Sequence, residues 1–203
     1  MNFMAQHPVL YRHTDFVVIH KAEGIAVHAD EDSLLLPQVA VQLGVERVWL
    51  VHRLDKPTSG ALLLALTAPA ASTLATLFAD RKVQKTYVAL SDHKPSKKQG
   101  WVKGDMEKAR RGAWKLLRSM HNPAVTHFTS QGLGNGTRLF TLHPHTGKTH
   151  QLRVAMKSLG SPILGDTLYG GTAAERVYLH AQRLQFTYAG EDITVEAPVP
   201  WLM

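Results

Sequence analysis

Residues 50–64 read LVHRLDKPTSGALLL, and this stretch joins two apolar runs through a charged tetrad and a turn. The tetrad is HRLD at 52–55, and the turn contains Pro57 and Gly60. Apolar runs of this length on either side of a turn are typical of consecutive β-strands. The stretch therefore predicts that Asp55 lies where a strand ends and the chain bends, a place where rigid scaffolds often hold reactive side chains.

The neighbours of Asp55 support two interpretations. Arg53 and Lys56 flank it, and nearby cations favour the ionised form of a carboxyl group. An ionised and positioned carboxylate can act as a nucleophile. A surface aspartate that caps a turn between two positive charges fits the same residues, and spacing alone favours that simpler interpretation.

The rest of the chain continues as short apolar runs with few helices. The predicted strands are residues 15–21, 25–28, 48–52, 61–66, 85–90, 125–130, 137–142, 177–180, 183–188 and 193–196. The predicted helices are residues 34–43, 69–80 and 149–159. This pattern predicts an α+β fold with a mostly antiparallel mixed sheet and flanking helices. A length of 203 residues predicts one domain over 1–203.

Composition excludes several classes of protein. The chain has no cysteine, which excludes disulfide scaffolds, iron–sulfur clusters, thiol nucleophiles and zinc sites with cysteine ligands. It has no apolar run long enough for a membrane span. The first residues lack a basic region followed by a long apolar stretch, so we expect no signal peptide. Together these features predict a cytoplasmic protein without a membrane partner.

The positive charge is concentrated in one segment. The whole chain carries +7, but residues 81–118 contain 12 Lys/Arg against three acids and therefore carry +9. Concentrated basic charge indicates a polyanionic partner. Within this segment, the insertion at residues 91–120 is predicted to be a loop or mobile hairpin. A solvated loop that keeps the protein soluble fits the same composition.

Nucleotide and metal motifs are incomplete. The sequence GKT at 147–149 lacks the glycine that a P-loop needs at Leu142. The sequence GLGNG at 132–136 lacks the third glycine of a dinucleotide loop, and no helix is predicted to follow. His143, His145 and His150 could bind metal, but no carboxylate lies nearby until Asp166. We therefore expect no cofactor and no metal.

Five segments resemble, in order, the signatures of the RluA-type RNA pseudouridine synthase family. They are HRLD with TSG at 52–60, VQKTYVAL at 83–90, PHTGKTHQLRV at 144–154, PILGD at 162–166 and LHA at 179–181. Residues 9–28 also resemble the start of this family, so the resemblance spans nearly the whole chain. The chain departs from the family at Lys148, where arginine is usual, and at Ala155, where histidine is usual.

The resemblance implies a pseudouridine synthase fold with a catalytic cleft between two subdomains and no N-terminal S4-like module. It implies isomerisation of specific uridines in structured tRNA or rRNA to pseudouridine, on a nucleotide flipped out of its stack. Asp55 would assist cleavage of the glycosidic bond, Tyr87 would contact the uracil, and Arg153 would pair with Asp55. The residues expected to bind RNA are His52, Arg53, Lys85, Arg110, Arg111, Lys148 and His150.

Two other functions remain open at this stage. A non-catalytic RNA-binding protein could keep the same fold and motifs. A metal-dependent hydrolase could use His143, His145 and His150. For the enzyme we expect a monomer, because no apolar helical face is left over.

Overall fold

The computed structural model describes residues 7–27 and 34–202. Contacts divide the chain into two compact units: unit 1 is formed by residues 1–83 and 181–203, and unit 2 by residues 84–180. The helices are α1 (Leu35–Leu43), α2 (Ala68–Ala79) and α3 (Gln151–Ser158). The strands are β1 (Val9–Arg12), β2 (Phe16–Lys21), β3 (Trp49–Leu50), β4 (Ser59–Ala65), β5 (Gln84–Ser91), β6 (Gln99–Gly104), β7 (Met106–Lys108), β8 (Trp114–Leu116), β9 (Ala124–Gly132), β10 (Arg138–Pro144), β11 (Leu179–Tyr188) and β12 (Glu191–Glu196).

Unit 1 is built on the strand order β1-β2-β4-β11, with β3 beside β4 and β12 beside β11. Every residue of β4 is buried, and its residues 61–65 form a continuous apolar run. Its core includes Phe16, Leu63, Leu74 and Phe186. Helix α2 begins at a proper N-cap, because the Thr67 side chain accepts a hydrogen bond from the Ala70 N–H.

Unit 2 contains the antiparallel strand order β5-β10-β9-β6 and a separate β7–β8 hairpin. Along β9 and β10 the side chains alternate between buried and half-exposed. Phe128, Phe140 and Leu142 lie on the buried face, and α3 packs against these two strands. The opposite face is more open, and it carries the exposed side chain of Trp101.

The predicted class and all three helices are confirmed, with differences at the ends. Helix α3 begins at Gln151 because His150 has a positive φ of 57°. The predicted strand 183–188 and the last two residues of the predicted strand 177–180 belong to one strand, β11. Residues 25–27 form no strand, and residue 28 lies outside the described part of the chain. Strand β1 was not predicted.

The prediction that residues 91–120 are a loop or mobile hairpin is wrong in part. Strand β6 joins the sheet of unit 2 by pairing with β9 over its whole length. The strands β7 and β8 then form an ordered hairpin. The sequence of β6, QGWVKG, has only two large apolar residues, so its conformation depends on the β9 ladder rather than on local propensity.

Candidate active site

Asp55 lies in the loop between β3 and β4 of unit 1 and is half-exposed. The Asp55 carbonyl oxygen accepts a hydrogen bond of 2.9 Å from the Thr58 N–H, which closes a tight turn. Gly60 follows with a φ of 115°, and a Cβ there would collide with the backbone carbonyl of Ala181. The loop that carries Asp55 therefore depends on a glycine at the start of β4.

Lys21 anchors this loop from inside unit 1. Its side chain is fully buried at the end of β2, and its ammonium donates hydrogen bonds to the carbonyl oxygens of Ala22 and Ile25, each at 2.9 Å. It donates a third, at 3.3 Å, to the carbonyl oxygen of Lys56. The Gly24 N–H donates to the same Lys56 oxygen at 2.8 Å. Residues 21–25 therefore hold the backbone next to Asp55.

Burial lowers the pKa of Lys21 to about 8, although the negative charge of Asp55 acts in the opposite direction. An unfolded lysine keeps its ordinary pKa of 10.5, so the unfolded state holds more protons between these two values. Stability contributed by this group therefore rises as the pH rises from about 8 to 10.5.

We expect wild-type protein to gain stability relative to Lys21→Met over that interval, by on the order of 3 kcal/mol. Urea unfolding of both proteins at several pH values measures the difference, and all other titrating groups are common to both. A difference that does not change with pH would contradict the assignment.

His52 and Arg53 precede Asp55 and differ in their surroundings. The Nε2 atom of His52 accepts a hydrogen bond of 2.9 Å from the Leu63 N–H, so this nitrogen carries no proton. The His52 ring also stacks on Phe78 at 4.3 Å. Arg53 is exposed. His52 is thus part of the packing of unit 1, and RNA contacts by either residue stay predictions.

Tyr87 and Arg153 lie in unit 2. Tyr87 is 8% exposed on β5, opposite Leu142 of β10. Arg153 is 6% exposed on α3 and forms a bidentate pair with Asp166, with N–O distances of 2.7 and 2.8 Å. Its guanidinium also lies 4.9 Å from the centre of the Tyr169 ring. Asp166 and Tyr169 therefore fix the guanidinium, whereas the pairing of Arg153 with Asp55 stays a prediction.

Tyr169 connects α3 to the β7–β8 hairpin. Its hydroxyl oxygen accepts a hydrogen bond of 3.0 Å from the Trp114 N–H and lies 2.7 Å from Nδ1 of His150. The predicted helix face of His150, Arg153 and Lys157 contacts this ring instead of facing solvent alone. The same tyrosine thus links the α3 face to β8.

We expect Tyr169→Phe to lower the free energy of unfolding by about 1–3 kcal/mol, because it leaves the Trp114 N–H without its acceptor. Amide hydrogen exchange at Trp114 should accelerate. Tyr178→Phe is the matched control, because it removes a hydroxyl that donates to Glu175 at the surface. Equal exchange of Trp114 in wild type and Tyr169→Phe would contradict this role.

The remaining predicted RNA-binding residues are distributed over unit 2. Arg110 and Arg111 are exposed at the tip of the β7–β8 hairpin. The Lys85 ammonium donates to the carbonyl oxygen of Thr146 at 3.3 Å, and burial lowers its pKa. The backbone N–H of Lys148 donates to the side chain of Gln151. The hairpin tip is therefore the most accessible part of this set.

The histidines predicted as an alternative metal site have other surroundings. His150 contacts Tyr169, as above, whereas the His143 ring stacks on His127 at 6.1 Å. Within residues 7–27 and 34–202, no group of three or more His, Asp or Glu residues could hold a metal ion. No helix in the same part of the chain is long and apolar enough to cross a membrane.

Comparison with known proteins identifies the family. The family model described as RNA pseudouridylate synthase matches residues 15–158, a span that includes Asp55, Tyr87 and Arg153. The chain belongs to this family. It is therefore an RNA pseudouridine synthase, and the resemblance found in its motifs is confirmed.

Several relatives cover most of the chain. It is 57% identical over 190 residues to an uncharacterized RNA pseudouridine synthase of Haemophilus influenzae, covering 92% of this chain and 85% of the relative. It is 33% identical to tRNA pseudouridine synthase C of Pasteurella multocida, covering 96% and 93%. It is 32% identical to ribosomal large subunit pseudouridine synthase C of Rickettsia bellii, covering 95% and 68%.

A solved structure gives the same result for the fold. Human RNA pseudouridylate synthase domain containing 1 superposes with a TM-score of 0.81 at 27% identity. The match covers 98% of this chain and 86% of the human chain. The predicted fold class is thus confirmed by a known synthase fold.

Three residues of the site were missed from sequence. Lys21 and Tyr169 were given no role, and Asp166 was named only as a distant metal ligand and as the last residue of the PILGD signature. A signal existed for Lys21, because a lysine at the end of a strand that begins with four apolar residues needs hydrogen-bond acceptors if it is buried. No local signal pairs Asp166 with Arg153, since 13 residues separate them along the chain.

Proposed function

We propose that this synthase isomerises specific uridines in tRNA or rRNA, with Asp55 as the group that assists cleavage of the glycosidic bond. The observation that carries the proposal is the family match over residues 15–158, which includes all three predicted catalytic residues. Asp55 is on a loop anchored by Lys21, and a fixed loop suits a carboxylate that must meet one carbon atom of the substrate.

The reaction moves the uracil from a nitrogen link to a carbon link. The bond between N1 and C1′ breaks, the base turns, and a bond between C5 and C1′ forms. The proton on C5 is lost and N1 gains one, so no electrons enter or leave. Asp55 assists the cleavage, and Tyr87 contacts the uracil and takes part in removing the C5 proton.

Arg153 supplies positive charge for the ionised Asp55. A bidentate guanidinium–carboxylate pair would hold the reactive carboxylate in one rotamer and keep it charged. The Asp166 and Tyr169 contacts support this role, because they already hold the guanidinium in one orientation.

Access to a uridine inside folded RNA requires that the nucleotide leave its stack. Flipping costs a few kcal/mol, which contacts with the neighbouring phosphates must offset. Arg53 and the hairpin residues Arg110 and Arg111 are exposed and positively charged, which fits them for this task.

We expect RNA binding to depend steeply on salt, and the Arg110→Gln/Arg111→Gln variant to reduce the slope of log K against log salt by about 1.5. The control is Arg47→Gln/Arg183→Gln, which removes the same charge from unit 1. Filter binding at four or more salt concentrations gives the slopes. An unchanged slope in the hairpin variant would show that Arg110 and Arg111 do not bind RNA phosphates.

The decisive experiment follows release of tritium from C5-labelled uridine in bulk tRNA and, separately, in rRNA. Mass alone is uninformative, since product and substrate are isomers. Release from one RNA class identifies the substrate, and sequencing after pseudouridine-specific derivatisation locates the position. RNA binding without any release would favour the alternative of a non-catalytic RNA-binding protein.

We further propose that the enzyme acts as a monomer in the cytoplasm without a membrane partner. The charge of +7 supports a free, soluble form that meets RNA by electrostatic attraction. Sedimentation of the free protein and of its RNA complex measures how many protein chains each contains, and we expect one in both.

A further inference from the structure

An aromatic row crosses the open face of the unit 2 sheet. In the strand registers, Trp101 of β6 lies opposite His127 of β9, and His127 lies opposite His143 of β10. The ring centres of Trp101 and His127 are 4.9 Å apart, and those of His127 and His143 are 6.1 Å apart. His145 adds a fourth ring, 5.0 Å from Trp101. We call these four side chains the stacking row.

The stacking row lies on the face of the sheet opposite the predicted catalytic residues of unit 2. On β9 and β10 the alternate residues, such as Phe128 and Leu142, are buried, and Leu142 is the neighbour of Tyr87. Trp101 is 52% exposed on β6, the last strand in the order of this sheet. Nothing in the proposed mechanism uses this side chain, and an exposed indole on an open sheet face is a feature of contact surfaces.

The charge around the stacking row favours a polyanion over a protein as the binding partner. The Lys103 ammonium lies 5.0 Å from the centre of the Trp101 ring. No acid occurs among the residues of β6, β9 and β10 that share this face. They are Gln99, Trp101, Lys103, Val125, His127, Thr129, Gln131, Leu139, Thr141 and His143. Strand β6 also belongs to the segment 81–118, whose net charge is +9.

We propose that the stacking row is a second RNA-binding surface, on which an unpaired base stacks against Trp101 while Lys103 binds an adjoining phosphate. Flat aromatic side chains beside a lysine are the usual means of holding single-stranded nucleotides without reading their sequence. This inference rests on the proposed function, since it assumes an RNA substrate. It adds a contact with a part of the RNA other than the uridine that reacts.

The test compares four variants: Trp101→Ala, Trp101→Phe, Lys103→Gln and the control Met120→Ala. Met120 is also 52% exposed, so this control removes an apolar side chain of equal exposure. Each protein is titrated with bulk tRNA, with rRNA and with a single-stranded RNA of about ten nucleotides. Tritium release is measured in single turnover at saturating RNA.

We expect Trp101→Ala to weaken RNA binding roughly 10- to 100-fold, and Trp101→Phe to recover most of the loss. The single-turnover rate at saturation and the salt slope should stay at the wild-type values in both. Lys103→Gln should lower the salt slope by about 0.7. Met120→Ala should bind as wild type does.

Three results would overturn the proposal of a second RNA-binding surface. A fourth would overturn the proposed function on which it rests. Wild-type affinity in Trp101→Ala removes the second surface while the synthase activity stands. Equal losses in Trp101→Ala and Met120→Ala show a non-specific effect. A change in sedimentation of Trp101→Ala without RNA identifies a protein contact instead. Failure of the wild type itself to bind or modify any RNA rejects the proposed function.

Discussion

Asp55→Asn is expected to lower the rate of pseudouridine formation by roughly 10³-fold or more. Asparagine has nearly the same shape as aspartate but carries no charge and is a poor nucleophile, so cleavage of the glycosidic bond loses its assistance. We propose that basic groups elsewhere in the chain bind the RNA, so we expect the affinity for RNA to stay near the wild-type value. Tritium release and filter binding on the same RNA separate these two effects.

The control for this variant is Asp80→Asn, which removes a carboxylate that pairs with Lys82 at the surface. It should leave activity and RNA affinity unchanged. Thermal unfolding shows that each variant is folded at the assay temperature. Substantial activity in folded Asp55→Asn would contradict the central assignment, whereas loss of RNA binding together with activity would show that Asp55 acts in recognition.

The sequence predicted the elements of this fold that are decided locally. Residues 61–65 of β4 form a continuous apolar run, and α2 has a proline near its first turn, so both follow from short-range patterns. Strand β6 does not, because glycine, glutamine and lysine make up most of its length. Its conformation comes from pairing with β9, which local propensity does not encode.

The same division applies to the site. Asp55, Tyr87 and Arg153 were proposed because their motifs follow one another in a known order. The residues that hold them in place, Lys21, Asp166 and Tyr169, were not predicted, since only contacts in the folded structure identify them. His52 illustrates the limit: it belongs to the catalytic motif, but its Nε2 is used by a backbone N–H of β4.

The second large effect is expected at Asp166, which is 1% exposed and bonds Arg153 through both carboxylate oxygens. Asp166→Asn removes the negative charge that bonds the Nε and one terminal nitrogen of the buried Arg153 guanidinium. Loss of one partner of a buried ion pair costs about 3–5 kcal/mol, so we expect a drop of that order in the free energy of unfolding. Glu196→Gln is the matched control, because it neutralises one partner of the exposed pair with Arg183. It should cost no more than about 1 kcal/mol.

Stability alone does not separate a structural role for Asp166 from a role in positioning Arg153, so the kinetic test decides. We expect folded Asp166→Asn to lose roughly 100-fold in kcat, because a small displacement of a positioning group is enough for a loss of that size. The KM for RNA should change much less, since Arg53, Arg110 and Arg111 are the residues that we propose bind the phosphates. Wild-type kcat in folded Asp166→Asn would mean that the buried pair stabilises unit 2 and does nothing for the reaction. A parallel loss in Arg153→Lys, which keeps the charge but removes the fork, would show that the orientation of the guanidinium is what Asp166 supplies.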